Sequence, residues 1–423
     1  MQKRLYKDTV RACYIANFFQ AIGMVIPIVF APLKQLYGLT YMQLGSLIFV
    51  NFVTQVISDI AFSKPVDKYG FRPFIILSSF LSAGGLCLFA LTPLIFKGNE
   101  YAGFLIAIIL FASASGLMEL LLSPIIDAVP IEEKDKAKAM SSLHSLFAWG
   151  QIFVITISTL FIYIAGIRYW YGIVLFWSFA PLLNIFTFSK APLRQKLHES
   201  QVMKIKELLF NSTFIMLVIA IISGGASEVT MSQWSSVFFE RAVQLPKIVG
   251  DLFGMCTFAF MLGLGRSLYG IFGHKIEIGK IMIISSAAAI AGYVMVAVSS
   301  NSITALVGCG MTGLCVSLLW PGTIVLASKK LPFAGASMFA LLSAAGDIGA
   351  SIGSSVTGFI ADFSERIFLQ TTIQSLGLNA EQFGLKMALL TASIFPIGSL
   401  IINLKLQKKK REQEAMLATR KTL

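Results

Sequence analysis

The chain has 423 residues, of which 56% are hydrophobic and only 13% are charged, and its formal net charge is +13. Soluble domains carry about 25% charged residues, so this composition excludes an ordinary soluble enzyme, a disordered chain and a disulfide-stapled secreted domain. It predicts an integral membrane protein that is not an enzyme. No nucleic-acid partner is expected, because basic loops on the cytoplasmic side of a membrane account for such an excess of positive charge.

Twelve apolar segments are long enough to cross a bilayer, which takes about 20 residues. The first six cover residues 12–36, 43–63, 73–96, 102–128, 139–165 and 169–189, and the second six cover 209–239, 248–272, 278–299, 303–328, 333–361 and 384–406. We predict an all-α membrane protein of twelve transmembrane helices. Its parts are an N-terminal six-helix bundle at 1–189, a cytoplasmic linker at 190–208, a C-terminal six-helix bundle at 209–406 and a basic tail at 407–423.

The distribution of basic residues predicts the orientation. With the N-terminus inside, 26 of the 34 Lys and Arg residues fall on the cytoplasmic side and 7 fall outside. Because basic loops stay in the cytoplasm, both termini are expected there, and the chain is expected in the cell membrane. The first segment is interpreted as an uncleaved span, since it is too long for a signal peptide and lacks a small-x-small cleavage site.

Polar stripes mark the first two segments. Asn17 and Gln20 lie three residues apart, and Asn51, Gln55 and Asp59 recur every four residues, so each set occupies one face of its helix. A polar stripe within a membrane has to face protein or water, which makes both sets candidates for lining a central solute cavity. Interhelical hydrogen bonds that only hold the bundle together are an equal alternative.

The loop after the second segment, residues 63–72, reads SKPVDKYGFR. It resembles the G-x-x-x-D-R/K-x-G-x-R/K loop of the major facilitator superfamily, which implies two pseudosymmetric six-helix bundles and a transport function. Asp67, Lys68 and Arg72 are then expected in a cytoplasmic gate. We also assign to this gate the ionisable residues that are predicted near the cytoplasmic ends of spans, which are Asp59, Asp127 and Arg266.

The two halves of the sequence repeat each other. Residues 116–124 (GLMELLLSP) align with residues 313–321 (GLCVSLLWP) and share the pattern G-L-x-x-x-L-L-x-P. Because each half holds an even number of spans, the repeat is parallel, with its axis along the membrane normal. A solute site at the interface of the halves is the default expectation for such a repeat.

Three acids lie deeper within the spans: Glu119, Glu228 and Asp347. Carboxyl groups inside a membrane are costly and normally face a cavity or a partner. Glu119 is the first candidate for a proton-coupling residue, followed by Glu228 and Asp347, and a packing role is the alternative for each. Two patterns resemble those of the fucose-permease-like branch of the superfamily: Glu119 ahead of Pro124, and Glu228 ahead of Trp234. This resemblance implies sugar:proton symport.

Aromatic and imidazole side chains complete the candidate solute site. Indole faces suit the apolar face of a sugar ring, although core packing is the alternative for any single Trp. The lone His within a span is as readily a hydrogen-bonded structural residue as a proton relay. The residues concerned are His144, Trp149, Trp234 and Trp320.

These patterns predict a secondary transporter that moves a small neutral polar solute, preferably a sugar or polyol, by alternating access, with a proton as the candidate coupling ion. Apart from Arg266, no Lys or Arg lies deep in a span, which argues against sugar phosphates and dicarboxylates. The alternatives are a proton-coupled efflux pump for apolar or cationic compounds and, more remotely, a non-transporting sensor. A monomer is expected. No metal or cofactor is expected, and the five cysteines show no metal-binding spacing.

Overall fold

The structure, a computed structural model, describes residues 6–130, 133–193, 205–272, 277–331, 335–367, 373 and 375–422. The N-terminal half contains α1 (Lys7–Tyr37), α2 (Tyr41–Tyr69), α3 (Phe71–Ile95), α4 (Glu100–Asp127), α5 (Glu133–Ala165) and α6 (Ile167–Ser189). After a short helix at Ile205–Leu209, the C-terminal half contains α7 (Ser212–Ala242), α8 (Lys247–Tyr269), α9 (Ile278–Val298), α10 (Ser302–Lys330), α11 (Gly335–Ile367) and α12 (Ala380–Lys409).

Eleven helices among these residues are long and apolar enough to cross a membrane. Each of them covers most of one predicted apolar segment, which confirms the helical membrane-protein prediction for those eleven. The predicted eleventh segment falls, from residue 335 on, in α11, which is 33 residues long but is not among the eleven. Its sequence is rich in glycine, alanine and serine around a buried aspartate, Asp347.

Local sequence determines where the helices start and stop. The chain turns between α1 and α2 at Gly38, whose φ of 68° suits a residue without a Cβ atom. Helix α2 then begins with a capping box in which the Thr40 hydroxyl accepts from the backbone N–H of Gln43 and the Gln43 side chain accepts from the N–H of Thr40. Asn379 builds the same motif at the start of α12.

The hydrophobic core is continuous between the two halves at one end of the molecule only. One cluster combines residues of α1 and α2, such as Phe30 and Leu44, with Trp234 and Phe238 of α7. A second cluster draws only on the N-terminal half, around Leu121. A third draws only on the C-terminal half. The halves therefore share a core at the end where α1 leads into α2, which we call the closed end, and have separate cores at the opposite end.

Helices α2 and α11 form the seam of the closed end. The carboxylate of Asp362 accepts from the backbone N–H groups of Tyr41 and Met42 at 3.2 and 2.7 Å. One turn further along α2, a Cβ atom on Gly45 would lie 3.1 Å from the carbonyl oxygen of Ser354. Residues further along α2 thus meet residues earlier in α11, so the two helices run antiparallel with their backbones in close contact.

We expect Gly358→Val to open the closed end. Its Cβ atom would overlap the carbonyl oxygen of Tyr41, and close-packed backbones relieve such an overlap only by moving apart. The measurement is the rate at which a thiol reagent labels a cysteine introduced at Ser354, a fully buried position. Labelling should accelerate at least tenfold over the parent that carries Gly358.

Gly84→Val is the matched control, because a Cβ atom at this mid-helix position would meet nothing within 4 Å. Unchanged labelling in Gly358→Val, or equal acceleration in both variants, would show that the glycine contact does not hold the closed end together.

Candidate functional site

Two acids face each other between α2 and α4. The hydroxyls of Ser46 and Tyr101 are 2.6 Å apart, and further along both helices Gly116 lies against the backbone of Gln55. The two helices therefore run parallel, and residues just beyond this crossing lie at the same level. Those residues are Asp59 and Glu119, whose carboxyl groups are close enough to interact electrostatically.

A third acid reaches the same place from the C-terminal half. Asp347 lies on α11, one turn before Ser351, whose hydroxyl donates to the carbonyl of Phe49 on α2 at 3.5 Å. Its side chain interacts electrostatically with both Glu119 and Asp59. Asp347 is only 3% exposed, whereas Glu119 is exposed. We call these three residues the central acid cluster. It draws on both halves and lies away from the closed end, toward the separate cores.

Within the described residues, the central acid cluster has hydrogen-bonding capacity that nothing fills. Oδ1 of Asp59 and Oδ2 of Asp347 are buried without a hydrogen-bond partner, and so is Oδ1 of Asn51 on the same face of α2 as Asp59. Among those residues no Lys or Arg forms an ion pair with any member of the cluster. Such groups are costly inside a membrane protein and mark places where a ligand or a proton binds.

Glu228 has a different environment from the central acid cluster. Nη2 of Arg266 on α8 donates to both carboxylate oxygens of Glu228 on α7, at 2.7 and 2.8 Å. Nε of Arg266 donates to the carbonyl of Ser317 on α10 at 3.3 Å. Both partners belong to the C-terminal half. The pair therefore neutralises itself within one half and leaves no free cation for an anionic solute.

Asp251 forms a polar link between the halves at the closed end. It is fully buried at the start of α8 and accepts from the hydroxyl of Thr159 on α5 at 2.8 Å. Ser236 on α7 also donates to it. Lys247 neutralises it at 3.1 Å. A second link joins α2 to α12, where the hydroxyl of Tyr41 donates to Glu381 at 2.6 Å. Asp251 and Glu381 are thus partnered at the closed end. Oε2 of Glu240, at the end of α7, has no hydrogen-bond partner among the described residues, but Arg241 and Lys247 lie beside that carboxylate.

The polar stripe of α1 holds the N-terminal half together. Nδ2 of Asn17 donates to the carbonyl of Leu143 on α5 at 2.6 Å, and Nε2 of Gln20 donates to the carbonyl of Ser115 on α4 at 3.4 Å. For these two residues the structure shows the interhelical bonds that were the alternative to cavity lining. The stripe of α2 differs, because it runs through Asn51 and Gln55 into the central acid cluster.

The three tryptophans predicted to bind solute lie in three different places. Trp149 is 46% exposed, and its ring packs edge-on against Phe260 of α8 in the other half, with the ring centroids 6.1 Å apart, so its place in the solute site stays a prediction. Trp234 is buried at the closed end, where Nε1 donates to the carbonyl of Ser354. Trp320 packs against Gly346, which places it beside Asp347 in the central region.

In the described part of the chain, the predicted gate residues Lys68 and Arg72 contact only the N-terminal half and the segment that follows it, whereas Asp59 belongs to the central acid cluster. Nη2 of Arg72 donates to the carbonyl of Ala191 at 2.8 Å, and the ammonium of Lys68 lies over the ring of Tyr69. The cytoplasmic gate stays a prediction for a conformation closed at that end. The predictions for Asp67, Asp127 and His144 concern side chains outside the described residues.

Three residues of these sites were missed by sequence reasoning. Asp251 lies within the predicted segment 248–272, so an acid inside an apolar run was the available signal. Asp362 follows the segment 333–361 directly, where a loop was expected. Gln151 is 5% exposed with Oε1 unpartnered in the described structure. Its place seven residues after His144 puts it on the same face of α5, away from Trp149.

The fold and its seam define a polytopic helical membrane protein of two packed halves, with unpartnered acids between them. The sequence matches the profile of the Major Facilitator Superfamily over residues 13–354. The chain belongs to that superfamily. None of the curated proteins compared with it matches the sequence.

Solved structures share the fold at low sequence identity. A bacterial homolog of the human lysosomal transporter Spinster, in an inward-facing and occupied conformation, superposes with a TM-score of 0.74 at 13% identity, over 95% of this chain and 97% of that one. The D-xylose-proton symporter gives 0.73 at 13% identity, over 93% and 97%. The E. coli fucose:proton symporter FucP gives 0.62 at 12% identity, over 94% and 97%.

Removing one partner of the pair between Glu228 and Arg266 should destabilise the protein strongly. In Arg266→Leu the buried carboxylate of Glu228 loses its cation, which typically costs about 3–5 kcal/mol. Arg266→Leu combined with Glu228→Met removes both charges and should recover most of that loss. Denaturant unfolding in detergent measures these differences.

Lys280→Met provides the control, because Lys280 pairs with Glu277 at 3.0 Å on the surface and is 62% exposed. It should cost less than about 1 kcal/mol. A double variant no more stable than Arg266→Leu would mean that the loss comes from packing and not from the uncompensated charge.

Proposed function

We propose that this protein is a secondary active transporter that moves a small polar solute across the cell membrane by alternating access, coupled to protons. In this proposal α11 is a twelfth span. The units are the bundles 1–189 and 209–406, the linker 190–208 and the tail 407–423, with both termini in the cytoplasm. The superfamily membership and the two-half fold support it.

The observation that carries the proposal is the central acid cluster. Asp59 and Glu119 come from the N-terminal half and Asp347 from the C-terminal half. Ionised carboxyl groups that lie close together repel each other. The number of protons bound to them therefore changes how closely the two halves can approach. Such a link between proton occupancy and the relative position of two domains is what coupled transport requires.

The charges around the central acid cluster support a solute that is not an anion. Arg266 is the basic residue deepest in a predicted span, and Glu228 holds it through both carboxylate oxygens. Sugars and polyols are the solutes to test first. Two of the proteins with the same fold are named as symporters of xylose and of fucose.

In proteoliposomes with an imposed proton gradient, Glu119→Gln should abolish accumulation of the transported solute. The amide cannot load and release a proton, so the gradient no longer drives the cycle. Exchange of labelled for unlabelled solute without a gradient should remain within about twofold of the parent, since exchange needs no net proton movement.

Glu100→Gln is the matched control, because Glu100 begins the same helix and lies partly exposed at the closed end. It should leave accumulation unchanged. Full gradient-driven accumulation by Glu119→Gln would exclude this residue as the coupling site, and the absence of any solute flux in the parent would favour a non-transporting sensor.

A further inference from the structure

We infer that the solute of the central site carries a positive charge, as a small hydroxylated or aliphatic amine does, and that its ammonium group binds between Asp59, Glu119 and Asp347. This inference rests on the proposed transport function and specifies the chemistry of the solute.

The charges of the site favour a cation. Three carboxyl groups interact where α2 packs against both α4 and α11, and no ion pair with a described Lys or Arg offsets them. The buried pair of Arg266 with Glu228 is neutral in itself. With a neutral solute, bound protons alone would have to neutralise the carboxyls in a space walled by apolar helices. An ammonium group can neutralise them in place of those protons.

The unfilled hydrogen-bonding capacity of the site favours a cation independently of its charges. The buried polar atoms without partners on α2 and α11 in this region are oxygens: Oδ1 of Asn51, Oδ1 of Asp59 and Oδ2 of Asp347. Each of them is an acceptor in need of a donor. An ammonium group offers three N–H donors and no acceptor. Its chemistry therefore complements this set of atoms.

An amide lies between these groups. Gln55 is 7% exposed as a whole, and among the described residues its side chain has no hydrogen bond. It lies one turn from both Asn51 and Asp59 on the same face of α2. Its amide atoms are not among the fully buried unpartnered atoms, so a ligand can reach them. A solute with both hydroxyl and ammonium groups would supply partners for the amide and for the carboxylates together.

The location of the site fits a transported ligand. Asp347 belongs to one half and Asp59 and Glu119 to the other, so a bound cation would contact both halves. Glu119 is exposed while Asp347 is buried, which gives the site an open side and a closed side. Protons and an ammonium group neutralise the same carboxyls and can replace one another there.

Two pairs of probes test the charge of the solute with little change in its size. Putrescine is compared with 1,4-butanediol, and glucamine with sorbitol, by equilibrium binding to the detergent-purified full chain. In each pair the amine should bind at least tenfold more tightly than the hydroxyl compound. Equal binding within a pair, tighter binding of the hydroxyl compound, or no binding of either amine would overturn the inference.

Variants locate the bound amine. Asp347→Asn should weaken amine binding at least tenfold, and Asp59→Asn should do so independently, so one of them remains informative if the other fails to fold. Glu100→Gln should leave it unchanged. Amine binding unaffected by both central variants would place the charge recognition elsewhere and contradict the inference.

The inference and the proposed function can fail separately. Proton-driven accumulation of sorbitol without amine binding would uphold transport and overturn the positive solute. Amine binding at the central acid cluster without flux in proteoliposomes would uphold the charge of the ligand and remove the transport function.

Discussion

The free-energy cost of holding a charged group away from water governs where each acid of this chain lies. Glu228 meets that cost with an arginine of its own half. Asp251 meets it with a lysine and with hydroxyl donors from both halves. Among the described residues, the central acid cluster has neither kind of partner. In the proposed function a proton or a cation from outside the protein fills that role and links the chemistry of the site to its conformation.

The closed end and the central region differ in how their polar groups are satisfied, and this difference connects the chemistry of the acids to the conformation of the halves. At the closed end Asp362 satisfies the first N–H groups of α2, and Trp234 fills the space beneath with packed aromatic rings. These contacts join the halves at the closed end. In the proposed transport cycle a movement that opens this end breaks them, and neutralising the acids lowers the repulsion between the halves as the opposite end closes.

Hydropathy was sufficient to predict the helices, because a segment of about 20 apolar residues has the length and composition of a transmembrane helix. It was weakest at α11, where glycine and serine lower the apolar content and a buried aspartate interrupts it. The side chains that pair between different helices could not be predicted from hydropathy. Glu228 and Arg266 lie on different helices, and only the packing of α7 against α8 brings their side chains within 2.8 Å.

The polar stripes illustrate why the candidate site was only partly predictable. Spacing places Asn17 with Gln20, and Asn51 with Gln55, on single helix faces, but it does not identify the neighbour that each face meets. In α1 the neighbours are backbone carbonyls, which use the amides for packing. In α2 the amides of Asn51 and Gln55 show no such bond among the described residues, and Asp59 follows them on the same face. Similar polar stripes therefore form structural bonds in one helix and remain candidates for binding in the next.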